Sequence, residues 1–235
     1  MASPTFVLTI TILGTACSAC SDDGGTAIDA TPVIDIDNGS CGDALNFTGE
    51  LVDADSNMTN FCGVNNAALD GGGAMDNTAP NGRFEMCIPR ASQTNIVIMP
   101  PAAASGCTGM PGTYTMAAVA VANPATILAG GFWSGRMITT ARLATLAPGA
   151  DMSKAHVMVH VDGQRRAVAI LATHGTAQAY SGTAWAAGES GSDVFFPNVD
   201  IASGSTTLTV VGGAIGTGSI PLQAGKLTMV TVLAK

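Results

Sequence analysis

Four cysteines in the middle of the chain have the greatest potential for redox, metal or structural chemistry. They are Cys41, Cys62, Cys87 and Cys107. Cysteine-rich zinc sites draw their ligands from closely spaced pairs, whereas these four residues are all far apart in the sequence. Such spacing is typical of disulfides in an oxidising compartment. We therefore predict two disulfides among the four cysteines, although the sequence does not choose their connectivity.

Two short motifs come close to known catalytic or metal-binding patterns, and each lacks an essential position. Residues 188–192 approach the Gly-x-Ser-x-Gly elbow of serine hydrolases, but Ser192 stands where the second glycine belongs, and a strand follows instead of a helix. Asp53, Asp55 and Asn57 alternate oxygen ligands as a calcium loop does, without the turn glycine or the distal glutamate. We predict a surface turn at the first motif and an Asx-rich turn at the second.

The histidines are the remaining candidates for metal binding or general base catalysis. His156 and His160 share one face of a predicted strand, but four residues of strand separate them by roughly 13 Å, which is too far to share one ion. The third histidine, His174, is not close to either in the sequence. We predict that the paired histidines are solvated on an outer face of the sheet, and we predict no metal site, no cofactor and no catalytic residue.

Tyr180 and Trp185 are the best candidates for direct contact with a ligand. Both rings fall in a short stretch that is otherwise polar and rich in turn-forming residues. Exposed aromatic rings in such a setting could stack on a sugar. The alternative interpretation, that both rings pack at the edge of the core, is the commoner use of such residues and is the one we favour.

Composition points to an all-β protein and excludes some partners. The chain has 29 glycines and only 11% charged residues, which favours short strands joined by many turns. Its net charge of −8 argues against nucleic acid or an anionic membrane surface as a partner. The acidic residues are concentrated near the N-terminus, and the first basic residue is Arg83.

The N-terminal segment has the features of an export signal. An apolar run at residues 6–14 is too short to span a bilayer, and small residues leading to Cys17 and Cys20 follow it. This arrangement resembles a bacterial lipoprotein signal, whose cysteine is lipidated and becomes the mature N-terminus. We favour Cys20 over Cys17 because lipidation of Cys20 leaves an even number of cysteines. An ordinary signal peptide and a buried first strand are the alternatives.

We divide the chain into five segments. Residues 1–20 are the predicted signal peptide, and residues 21–43 form an acidic stalk that is too polar to build a core. Residues 44–108 and 151–235 are predicted as two β-sandwich units. Residues 109–150 are a connector packing on the sandwiches, with a helix starting at Thr139.

Three stretches carry a resemblance to a known family. They are residues 47–53 (Phe-Thr-Gly-Glu-Leu-Val-Asp), residues 78–84 (Thr-Ala-Pro-Asn-Gly-Arg-Phe), and residues 191–199 with 206–210. They resemble the carboxypeptidase regulatory-like domains, which are transthyretin-like β-sandwiches. The fold class that we predict is therefore all-β, with two Greek-key β-sandwich units of transthyretin-like type. In the strand after residues 78–83, we expect Phe84, Met86 and Ile88 to face the core.

The resemblance also implies a function, because this family is mostly an accessory or structural module without catalytic residues. We predict a non-catalytic cell-envelope lipoprotein that acts as a structural, ligand-binding or adhesion module. Its predicted partners are the lipid membrane, through an N-terminal acyl anchor, and envelope proteins or glycans. We expect it at the bacterial outer membrane or cell surface; the alternatives are a periplasmic or secreted protein. There are two alternative functions. One is a carbohydrate-binding module. The other is a secreted hydrolase with an unrecognised site, which substitution of Ser190 and His174 would test.

Overall fold

The computed structural model describes residues 41–234 except 58, 92, 102–112, 213 and 216–217. The predicted signal peptide, with Cys17 and Cys20, lies outside the described residues, as do most of the predicted stalk and Cys107. Strands dominate the described part of the chain and helices are short, so the predicted all-β fold class is confirmed.

The elements are named here in chain order. The strands in the described part of the chain are β1 (Leu45–Asp53), β2 (Ala68–Gly71), β3 (Ala74–Asn77), β4 (Arg83–Ile88), β5 (Thr94–Met99), β6 (Ala118–Ala122), β7 (Trp133–Met137), β8 (Ala155–Asp162), β9 (Arg166–Ile170), β10 (Gln178–Tyr180), β11 (Trp185–Ala187), β12 (Ser190–Gly191), β13 (Asp193–Val199), β14 (Ser205–Val210), β15 (Ala214–Ile215), β16 (Ser219–Pro221) and β17 (Leu227–Ala234). The helices there are α1 (Pro124–Leu128) and α2 (Thr140–Leu146).

The strands form three sheets. The central sheet has ten strands, in the order β11-β10-β13-β8-β17-β6-β5-β2-β3 with β15 added beside β17. We call the sheet β4-β1-β7 the front sheet and the sheet β12-β9-β14-β16 the back sheet. Strand β17 runs parallel to β8 and β6 and antiparallel to the short β15. The central sheet therefore takes strands from both predicted sandwich units and from the predicted connector.

Both faces of the central sheet are buried in its middle strands. Met229 of β17 packs with the front-sheet residues in one apolar cluster, whereas Val232 of the same strand packs with the back-sheet residues in another. The side chains of β8 are distributed in the same way, with Met158 in the first cluster and Val159 in the second. Strands buried on both faces are apolar almost throughout, which explains the unbroken apolar run of β6 and the mostly apolar sequence of β17, whose only polar residues are two threonines.

The front sheet forms as its sequence predicts. Phe84, Met86 and Ile88 of β4 are buried and Arg83 and Glu85 are exposed, so the predicted alternation is confirmed. The turn before β4 needs a glycine at position 82, because its φ is +77° and a Cβ there would overlap a carbonyl oxygen of β1. The rings of Phe47, Phe84 and Trp133 pack against one another in the core beneath this sheet.

A disulfide joins the start of the described chain to β4. Cys41 and Cys87 are bonded, with their Cα atoms 5.3 Å apart and a sequence separation of 46 positions. Cys62 is also in a disulfide. The prediction that Cys41, Cys62 and Cys87 form disulfides is thereby confirmed. The predicted helix is present too, as α2, and the Thr139 side chain caps it by accepting a hydrogen bond from the Arg142 N–H.

Candidate functional site: a polar cleft at the edge of the central sheet

A cleft of about 710 Å³ is the best candidate for a binding site in the described part of the chain. Its volume is within the range of small-molecule sites in proteins. The loop after β1 and the hairpin turn between β10 and β11 both contribute to its walls. The other lining residues come from strands and their ends: Glu50, Arg136, Arg165, Tyr180 and Ser192.

The first wall is the loop of residues 54–62, which its own hydrogen bonds hold in place. The Asn57 Oδ1 accepts from the N–H groups of Thr59 and Asn60, at 3.0 and 2.8 Å. The Ser56 Oγ accepts from the Cys62 N–H at 3.0 Å, and Cys62 is in a disulfide. Phe61 lies directly before this anchor and is 55% exposed while lining the cleft.

The two carboxylates at the base of this loop, Asp53 and Asp55, are hydrogen-bonded to other side chains of the same chain. The Tyr114 hydroxyl donates to Asp53 Oδ2 at 2.5 Å, and the Arg142 Nε donates to Asp55 Oδ2 at 2.8 Å. Burial raises the pKa of Asp53 above its usual value, against the opposing effect of the Tyr114 hydrogen bond. The Asp55 N–H donates to Asp53 Oδ1 at 2.8 Å, as expected for an Asx turn. The predicted Asx-rich turn is therefore present.

The second wall is the hairpin turn of residues 181–184. The Ser181 N–H donates to the Ala184 carbonyl at 2.9 Å, and the Ser181 Oγ accepts from the Ala184 N–H at 3.2 Å. Gly182 adopts a φ of +89°, which favours glycine at this position. The Arg165 guanidinium donates to the Ser181 carbonyl oxygen and so lies against this turn. Thr183 is exposed at the tip of the hairpin.

A buried carboxylate fixes the second arginine of the cleft. Asp193 is 1% exposed, and its Oδ1 accepts from Arg136 Nε at 3.0 Å and lies 2.7 Å from His160 Nδ1. Its Oδ2 accepts from the Ser192 hydroxyl at 3.1 Å. Burial alone would raise the pKa of Asp193, but the hydrogen bond and charge of His160 and those of Arg136 together lower it. Asp193 therefore stays ionised and holds Arg136 in one orientation.

Of the two aromatic candidates for ligand contact, Tyr180 and Trp185, the structure places one in the cleft. Tyr180 lines the cleft, although it is only 5% exposed. Trp185 packs on Tyr180 with ring centroids 5.2 Å apart, and its Nε1 donates to the Ala54 carbonyl at 3.3 Å. Trp185 is not among the lining residues. It instead ties the hairpin to the loop after β1.

The prediction of solvated histidines on an outer face was wrong. His156 is fully buried and stacks on Phe195, with ring centroids 5.9 Å apart, and burial lowers its pKa. His160 is half-buried against Asp193. The physical reason is that the front sheet covers this face of β8, which the sequence treats as an outer face. No group of three or more metal-ligating side chains occurs within the described ranges.

Ser190 and His174, the residues of the hydrolase alternative, lie in different segments of the chain, and within the described residues they are not hydrogen-bonded to each other. Ser190 is exposed on β12, paired with Ala167 of β9. His174 packs edge-on against Phe196, with centroids 4.9 Å apart, and its Nδ1 lies 2.6 Å from the Gly175 carbonyl oxygen. Across residues 41–234, apart from the gaps named above, no hydrogen bond joins Ser190 to His174.

Comparison with known proteins yields no relative. No protein-family model, no curated protein and no solved structure matches the chain. No helix within the described residues is long and apolar enough to cross a membrane. The function must therefore be argued from the chemistry of the cleft and from the sequence.

Proposed function

We propose that the chain is a non-catalytic ligand-binding and adhesion module of the cell envelope, anchored by a lipid on Cys20 or Cys17. The observation that carries this proposal is the cleft, which combines two arginines, an exposed aromatic ring and two hydrogen-bonded loops. Such concave polar sites on a rigid scaffold are typical of binding proteins.

The hydrogen bonds of the cleft favour binding over hydrolysis. Ser192 contacts the Asp193–His160 pair, and its hydroxyl has two acceptors within reach, Asp193 Oδ2 at 3.1 Å and the Tyr180 carbonyl oxygen at 3.3 Å. A nucleophilic serine must instead donate to the free nitrogen of the histidine. The Asp193–His160 pair accordingly acts as a support for Arg136.

Export is supported by two features. The apolar run and small residues before Cys20 resemble a lipoprotein signal, as described above, and the Cys41–Cys87 disulfide is typical of an oxidising compartment. Lipid anchoring places the module at the outer membrane or cell surface. Its ligand is then a component of the envelope or of a neighbouring cell.

The test uses the full chain expressed in a bacterium that lipidates proteins. The mass of the mature protein is measured first, and cleavage before Cys20 with added acyl chains is the expected result. Retention of the purified protein on the detergent-insoluble fraction of cell envelopes is measured next, for the wild type, Arg165→Ala and Arg90→Ala, in detergent whose micelles take up the acyl chains so that the anchor does not hold the protein. Arg90 is a matched control, because it is also exposed and donates to one backbone carbonyl, that of Asp43, at 2.8 Å.

We expect Arg165→Ala to weaken retention about tenfold, which is the effect of losing one hydrogen bond to a charged group, and Arg90→Ala to leave it unchanged. Equal retention of all three proteins would contradict binding through the cleft. A mature protein without acyl chains would contradict the anchor.

A further inference from the structure

We infer that the cleft binds an uncharged saccharide, with Phe61 as the surface on which a sugar ring stacks and Arg136 as a fixed polar contact. This inference rests on the proposed function, since it names the class of ligand that the cleft takes. It assigns the aromatic contact to Phe61 in place of Trp185, whose half-buried indole packs on Tyr180 and donates to the Ala54 carbonyl.

The charges of the cleft balance one another. Arg136 is paired with the buried Asp193, and the positive Arg165 shares the cleft with the negative Glu50. A site for an ionic ligand carries an excess of the opposite charge, because that excess is what compensates the ion for its lost hydration. The balance here favours a ligand that has many polar groups and no net charge.

The polar groups match a ligand whose hydroxyls both donate and accept. The Nε of Arg136 is occupied by Asp193, and within the described residues no protein acceptor is bonded to its two Nη groups. The Glu50 carboxylate accepts one bond from the Ser134 hydroxyl, at 3.3 Å, and keeps further acceptor capacity. Thr59 and Thr183 are exposed at the two walls. Sugar hydroxyls satisfy donors and acceptors of all these kinds.

The exposed ring supplies the apolar part of the recognition. Phe61 is held by its neighbour Cys62, whose N–H bonds to the Ser56 hydroxyl and whose sulfur is in a disulfide. The backbone that carries the ring is therefore fixed before a ligand arrives, and covering the exposed ring removes apolar area from water. The C–H face of a sugar ring provides a flat apolar surface of this kind. Neutral polarity with one apolar face distinguishes saccharides from free ions and from peptides.

The experiment is a direct binding measurement on the full lipidated chain in detergent. The probes are a panel of neutral hexose and N-acetylhexosamine oligomers, the corresponding uronic acid oligomers, and nucleosides. The variants are Phe61→Ala, Phe61→Trp, which keeps a ring, and the matched control Phe132→Ala. Phe132 is similarly exposed, at 41% against 55% for Phe61, but it lines a different depression beside β4.

We expect at least one neutral oligomer to bind. Phe61→Ala should weaken this binding about tenfold, in line with the loss of one covered ring, while Phe61→Trp and Phe132→Ala retain it. Binding confined to the uronic acids or nucleosides, or binding unaffected by Phe61→Ala, would overturn the inference. The inference would also be overturned if retention on envelopes depended on the cleft but no neutral oligomer competed with it. That result would leave the proposed function intact.

Discussion

Removal of the Asp193 carboxylate should destabilise the protein strongly. In Asp193→Ala, the hydrogen bonds to His160, Arg136 and Ser192 are all lost. Breaking a buried ion pair typically costs about 3–5 kcal/mol, because the remaining charge loses its partner. The Arg136 side chain is 15% exposed, so water relieves part of that cost. We therefore expect the free energy of unfolding to fall by about 3 kcal/mol.

The assay is urea denaturation at neutral pH under non-reducing conditions, with Asp200→Ala as the control. Asp200 pairs with Lys154 at 3.3 Å, but the two side chains are 47% and 35% exposed, against 1% for Asp193, so its loss should cost less than about 1 kcal/mol. Arg136→Leu in the Asp193→Ala background should recover part of the loss, because it removes the unpaired charge. Equal destabilisation by Asp193→Ala and Asp200→Ala would refute this reasoning, as would a double variant less stable than Asp193→Ala.

Two further predictions concern stability. Because burial lowers the pKa of His156 below 6.5, the unfolded chain takes up a proton that the folded chain does not, so stability should fall as the pH drops below 6.5. His156→Phe should reduce this loss of stability by up to about 1.4 kcal/mol per pH unit. The free energy of unfolding is measured by denaturation at several pH values between 7 and 5, and an equal dependence on pH in the wild type and His156→Phe would contradict this. Replacing Cys41 and Cys87 together by serine opens a loop of 46 residues and should lower the free energy of unfolding by about 4 kcal/mol in the chain-entropy model. A loss under about 1 kcal/mol in non-reducing urea would count against it.

The sequence predicts individual strands better than it predicts their partners. The alternation of Val157, Val159 and Val161 identifies β8 and one of its two buried faces correctly, because local periodicity reports burial. The same pattern assigns His156 and His160 to solvent. Nothing local to β8 reveals that the front sheet covers their face, since β7 is distant in the sequence. The parallel pairing of β17 with β6 and β8 is equally non-local.

The cleft is predictable only in part for the same reason. Tyr180 and Trp185 stand out because they are close in the sequence and surrounded by turn-forming residues. Phe61, Arg136 and Arg165 come from three separate segments, and only the folded sheets bring them to one cleft. One local signal was available for Phe61, namely an aromatic residue directly before a cysteine in a polar loop.

The measurement that tests the central claim most directly is the affinity of the full lipidated chain, held in detergent micelles, for the detergent-insoluble fraction of isolated envelopes, compared between wild type, Arg165→Ala and Arg90→Ala. If the chain is a non-catalytic binding module that uses the cleft, we expect specific, saturable binding that Arg165→Ala weakens about tenfold and Arg90→Ala leaves unchanged. Identical affinities for all three proteins, or no saturable binding by the wild type, would contradict the account.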